Sequence, residues 1–95
     1  MKKLPVSLIL PTFNEKENLE IIIPEIVDLF ENIIETNYEI LVVDDSSNDG
    51  TDKLVNELSN YNKNIEFISR QNSPSLPLSI LKGITEAKYE NVMWM

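Results

Sequence analysis

Three short apolar runs, Val6 to Leu10, Tyr38 to Val43 and Ile65 to Ile68, are each followed by a stretch with helical apolar spacing, and a fourth, Asn91 to Met95, comes last. The connections between these runs are too long for hairpins, so neighbouring strands must run parallel and be joined by right-handed helical crossovers. The pattern predicts an α/β fold of the nucleotide-binding type, a parallel sheet of about four strands with three intervening helices, in a single domain over residues 1–95. Local signals agree with it. Val6 to Leu10 lies between Pro5 and Pro11 and is almost wholly apolar, as suits a strand buried on both faces. Asn14 is placed to cap the first helix, and Glu17, three residues on, completes a capping box. Leu19, Ile22, Ile23, Ile26, Phe30, Ile33 and Ile34 then keep a 3.6-residue spacing. Pro24 removes one backbone hydrogen bond inside that pattern, but the apolar face stays in phase beyond it, which predicts a kink and not a break. Leu54, Val55 and Leu58 mark the second helix after the polar turn Ser46 to Thr51. Ser73-Pro74-Ser75 interrupts the chain, Pro77 suits a first helical turn, and Leu78, Leu81 and Ile84 recur at helical spacing.

Composition removes much of the chemistry such a fold can carry. The 95 residues include no histidine and no cysteine, which excludes disulfides, thiolate or imidazole metal sites, a cysteine nucleophile and a Ser-His-Asp triad. Eight Lys and Arg against sixteen Asp and Glu give a net charge of −8, and no basic patch is concentrated anywhere, so nucleic acid is not an expected partner. Gly50 and Gly83 are the only glycines, too few for a GxGxxG turn and too far apart for a GxxxxGK[ST] loop. Lys2 and Lys3 ahead of an apolar stretch imitate a signal peptide, but that stretch is short and no small-residue cleavage site follows. No run approaches the roughly 18 apolar residues that span a bilayer. A soluble cytoplasmic domain is expected.

In an open parallel sheet, ligands collect beyond the carboxyl ends of the strands. The first strand delivers Pro11, Phe13 and Glu15 to that edge, the second Val43, Asp44 and Asp45, and the third Arg70. Carboxylate oxygens accept from ring N–H groups and ribose hydroxyls while an aromatic ring covers a base, so this set suits a nucleoside. Each residue also has a structural reading. Asp44-Asp45 can shape a turn and cap a helix, Glu15 suits a helical first turn, Phe13 can be core, and Arg70 can be a solvated loop charge.

Leu10-Pro11-Thr12-Phe13-Asn14-Glu15, followed by Val43-Asp44-Asp45-Ser46-Ser47 and Asp49-Gly50-Thr51, resembles the opening of a family 2 glycosyltransferase with the GT-A fold, most closely the polyprenol-phosphate (dolichol-phosphate) mannosyltransferases. The resemblance runs from Ser7 to Met95. It implies the Rossmann-like, donor-nucleotide-binding half of an enzyme that moves mannose from GDP-mannose to a polyprenyl phosphate, with Mg or Mn holding the diphosphate. It implies that Pro11, Phe13, Glu15, Val43 and Asp45 line the nucleotide-sugar site, with Asp44 as a structural neighbour and Arg70 near the phosphates. Ser75-Leu76-Pro77 stands where the family carries a Gly-Leu-Gly turn, which opens the choice of donor to a UDP-sugar. The strand Asn91 to Met95 resembles the one that leads into the family's Asp-x-Asp metal motif, so neither catalytic nor metal-binding residues are expected within these 95. The isolated chain is expected to be inactive, and a full-length form can associate with the cytoplasmic face of a membrane.

Two other classes remain open on the residues alone. One is a non-catalytic nucleotide-fold remnant or interaction module, whose sheet leaves apolar surface exposed and self-associates. The other is a receiver-like signalling domain, suggested by Val42-Val43-Asp44-Asp45, although the acidic pair here ends the second strand and not the first. Read as an exposed cleft carboxylate, Asp45 is expected to tolerate Asp45→Asn with a stability change within about 1 kcal/mol.

Overall fold

The computed structural model describes residues 4–71 and 73–95, so Lys2 and Lys3 of the signal-like start lie outside it. Strand β1 covers Val6–Thr12, β2 Tyr38–Asp45, β3 Ile65–Arg70 and β4 Asn91–Trp94, and they form one parallel sheet in the order β3-β2-β1-β4. The first three strands run two residues further at their carboxyl ends than the apolar patterns indicate. Thr12, Asp44, Asp45 and Arg70 are polar, yet they continue the ladder because their side chains find partners inside it.

Helix α1 covers Lys16–Asp28, α2 Thr51–Tyr61 and α3 Leu76–Glu86. The steps from β1 to β2 and from β2 to β3 move one way across the sheet, and the step from β3 to β4 returns past both central strands. Right-handed crossovers therefore put α1 and α2 on one face and α3 alone on the other. The packing agrees: α1 touches α2, and α3 lies on β1 and β2. Val6, Leu8 and Leu10 of β1 and Ile40 and Val42 of β2 point toward α1 and α2, where Leu19, Ile23, Ile26 and Val55 complete the main core. Alternation along the strands sends Ile9, Leu41 and Val43 to the opposite face, under α3.

Two local expectations are corrected, and that of a helix continuing past Pro24 is met. The first helix begins at Lys16 with Glu15 in the cap position, whose own side chain makes no capping bond, and Asn14 does not cap it either, because Asn14 has a left-handed backbone (φ 53°) and its side chain is engaged elsewhere. The helix passes through Pro24 unbroken; its change of geometry comes later, where Leu29–Ile34 widen into π-helical turns that end at Glu35 in the left-handed region. Widening rotates the later residues off the apolar stripe, so Phe30 is buried while Ile33 is 65% exposed. Finally, Leu78, Leu81 and Ile84 do not form the buried face of α3. They face outward, and Ser79 and Gly83 face the sheet. The reason is closeness of approach: a Cβ on Gly83 would sit 2.6 Å from Ile9 Cγ2, so only small residues fit beneath this helix.

Candidate functional site

The carboxyl edge of the sheet is organised by two adjacent aspartates that point in opposite directions. Strand alternation sends Asp44 toward α1 and α2, where its Oδ1 accepts from Thr12 Oγ1 (2.7 Å) and Ser47 Oγ (2.6 Å) and its Oδ2 from the Ser47 N–H (2.8 Å). Asp44 is thereby spent on shaping the β2–α2 loop. Asp45 points to the other face, where Arg70 forms an ion pair with Oδ1 and the Ser75 N–H donates to Oδ2 at 2.7 Å. Register explains both partnerships: Thr12 lies beside Asp44, and Asp45 beside Arg70, on neighbouring strands.

Asp45 is only 4% exposed and Arg70 7%. Burial pushes the Asp45 carboxyl up, but the Ser75 N–H, the Ser79 hydroxyl and the Arg70 guanidinium together outweigh it and hold the group below its ordinary value of 3.8. The expectation of an exposed carboxylate is thus overturned, as is that of Arg70 as a solvated loop charge. The strand runs on to Asp45 and buries it, and the guanidinium supplies the charge that makes burial tolerable.

Helix α1 enters the site through a clasp between two loops. The Asn14 N–H donates to Ser47 Oγ (2.6 Å), the Asn48 N–H donates to Asn14 Oδ1 (3.0 Å), and the Lys16 N–H donates to Asp49 Oδ2 (3.1 Å). Asp49 therefore caps α1 from another loop, and also accepts from the backbone and hydroxyl of Thr51 at the start of α2. The Thr51 hydroxyl and these backbone N–H groups outweigh desolvation and lower the Asp49 carboxyl below its usual value. Gly50 supports the arrangement with φ at +92°, a conformation that L side chains rarely adopt.

Between the β1–α1 loop and the start of α3 lies a hollow of about 270 Å³, walled by Pro11, Thr12, Phe13, Glu15, Asp45 and the α3 entry, Pro74 to Leu76, with Ser79. Its size is slightly below that of common small-molecule sites and suits one ring system. Four sequence-derived candidates, Pro11, Phe13, Glu15 and Asp45, surround it. Phe13 is 48% exposed and sits at the rim, outside the core. Val43 is fully buried in the sheet interior, two residues below Asp45 on the same face. Arg70 lies behind Asp45 and not in the open. A second, more apolar hollow of about 360 Å³ shares Pro11, Thr12 and Glu15 and extends along α1 to Met95.

Sequence reasoning missed Thr12, Ser75 and Ser79. Ser75 had a usable signal, since a serine before Leu76-Pro77 reads as a helix cap; its Oγ accepts from the Leu78 N–H at 3.3 Å. Ser79 had none, because its role depends on which face α3 turns to the sheet. For a divalent cation the donor set is unsuitable: among the described residues no three Asp or Glu side chains come together, and each Asp45 oxygen already accepts a hydrogen bond.

Comparison with known proteins gives the chain a family and relatives of the same fold. The chain is 39% identical over 82 residues to a dolichol-phosphate mannosyltransferase of Pyrococcus furiosus, covering 86% of this chain and 22% of that protein. It is 30% identical over 89 residues to the dolichol-phosphate mannosyltransferase of Saccharomyces cerevisiae, covering 94% of this chain and 33% of that one. The chain thus spans no more than about a third of the length of these relatives. A mannosyltransferase of Pyrobaculum calidifontis, solved with GDP-mannose and Mn2+, shares the fold with a TM-score of 0.75 over 96% of this chain and 26% of its own, at 21% identity. The Glycosyl transferase family 2 model matches residues 7–95, and with the parallel sheet and its acidic carboxyl edge this places the chain in glycosyltransferase family 2.

Proposed function

We propose that this chain is the donor-nucleotide-binding part of a glycosyltransferase that moves mannose from GDP-mannose to a polyprenyl phosphate. The observation that carries this reading is the meeting of Glu15, from the β1–α1 loop, and Asp45, from the end of β2, around one hollow with Phe13 at its rim. The two carboxylates are acceptors for base N–H groups and ribose hydroxyls, and the half-exposed Phe13 ring offers a face to cover a base. Relatives of mannosyltransferase type support the sugar and the lipid acceptor.

The Pyrobaculum protein is solved in complex with GDP-mannose and Mn2+. The described residues of this chain do not gather a donor set for that ion, so the contribution proposed for them is to the nucleoside. Binding through a few hydrogen bonds and one ring contact predicts weak affinity, of order millimolar, without turnover. Titration of the 15N-labelled chain with GDP and with UDP tests this. Saturable shifts are expected at the amides of Phe13, Glu15, Asp45 and Ser75, larger at a given concentration for GDP; a preference for UDP would reassign the donor. No shift at these amides with either nucleotide would defeat the reading.

A further inference from the structure

Ser79 is the one described residue with a buried side-chain polar atom that has no hydrogen-bond partner, and it lines the hollow beside Asp45. It is 1% exposed. Ser79 lies four residues beyond Ser75, the cap of α3, so the helix entry that delivers the Ser75 N–H to Asp45 also brings the Ser79 hydroxyl up to the same side of the hollow. An alanine here would be a better helix former and would bury no unsatisfied oxygen, which offsets what the nearby hydroxyl gives the Asp45 carboxylate in the empty fold. Buried polar groups without partners are rare enough to ask what completes them.

We propose that Ser79 is a positioning residue for Asp45, its hydroxyl closing a hydrogen bond onto the carboxylate when the hollow is filled. The inference rests on the nucleotide-binding reading above. In the empty chain Oδ1 is held by Arg70 and Oδ2 by the Ser75 N–H, and each oxygen keeps a further lone pair. A ligand N–H arriving from the hollow draws the carboxylate toward the side that Ser79 lines, and the hydroxyl is the donor available there to hold it. The charged groups facing Asp45 are Arg70 from β3 and, across the hollow, Glu15. Proximity of the hydroxyl already contributes to keeping the Asp45 carboxyl ionised.

The test uses the full chain with GDP as the probe, comparing wild type with Ser79→Ala by NMR titration at several pH values and by thermal unfolding. Ser79→Ala is expected to melt no lower than wild type without ligand, and to bind GDP roughly three- to tenfold more weakly at pH 7, the value of one hydrogen bond. The acid limb of its binding profile should move to higher pH, since the ionised carboxylate has lost a donor. A lower melting temperature would overturn the proposal by showing that the bond already exists in the empty chain. So would unchanged GDP binding. Weaker binding with an unmoved acid limb would make Ser79 a direct ligand contact and remove the positioning role. If wild type gives no GDP-dependent shifts around the hollow, the nucleotide reading itself fails and takes this inference with it.

Discussion

Asp45→Asn separates the scaffold contribution of this carboxylate from its binding contribution, and the buried geometry reverses the small stability effect that an exposed cleft residue would give. Asp45 and Arg70 are both almost fully buried and ion-paired. Removing one partner of such a pair typically costs about 3–5 kcal/mol, because the remaining charge is left uncompensated. Asparagine keeps the shape and one acceptor oxygen, so one of the two hydrogen bonds survives and the expected loss is about 2–4 kcal/mol. A domain of this length has a total stability of roughly 5–14 kcal/mol, and the loss corresponds to a fall in melting temperature of about 10–25 °C. Urea unfolding followed by circular dichroism at pH 7 measures it. The pH dependence supplies a second check. The folded-state carboxyl lies below its unfolded value of about 3.8, so its stabilisation is fully present above that value and is lost as the pH falls through the lower folded one. Wild type and Asp45→Asn should therefore converge in stability on acidification from pH 5 to pH 2. A difference under 0.5 kcal/mol at pH 7, below the roughly 1 kcal/mol worth of a single hydrogen bond, would refute the reasoning; so would a gap that ignores pH.

Gly83→Ala should destabilise the fold by about 0.5–2 kcal/mol in the same urea assay: placing a carbon 2.6–2.8 Å from three Ile9 side-chain atoms costs more than the roughly 1 kcal/mol that alanine gains in a helix. A stabilised variant would show that α3 can lift off β1 freely. Phe13→Ala, at the rim, is expected to change stability by less than about 0.5 kcal/mol while weakening GDP binding several-fold in the NMR titration; the opposite pattern would return Phe13 to the core. The outward stripe of Leu78, Leu81 and Ile84 and the exposed Met93 and Trp94 of the edge strand predict concentration-dependent self-association of this chain, reduced by Leu81→Glu. Light scattering that reports a monomer at high concentration would count against it.

Much of the fold follows from patterns confined to single segments. Apolar runs of strand length separated by helical spacings leave only parallel crossovers, and polar residues after each run mark where the carboxyl edge must lie. Those patterns brought Pro11, Phe13, Glu15 and Asp45 to the same edge, and they meet around one hollow. The helix start at Asn14 misled because a capping box is a local signal, whereas here Asn14 is held by Asn48 and the first turn is capped by Asp49, more than thirty residues away.

The sequence by itself determined the order of elements, the sheet type and the edge at which side-chain chemistry collects, since each depends on periodicities along one stretch of chain. Tertiary structure alone decided which aspartate serves the loop and which the hollow, that Arg70 neutralises Asp45 instead of standing free, and that α3 presents Ser79 and Gly83 to the sheet while its leucines face out. These outcomes turn on strand register and on how closely a helix can approach a sheet, quantities fixed between segments and not within them.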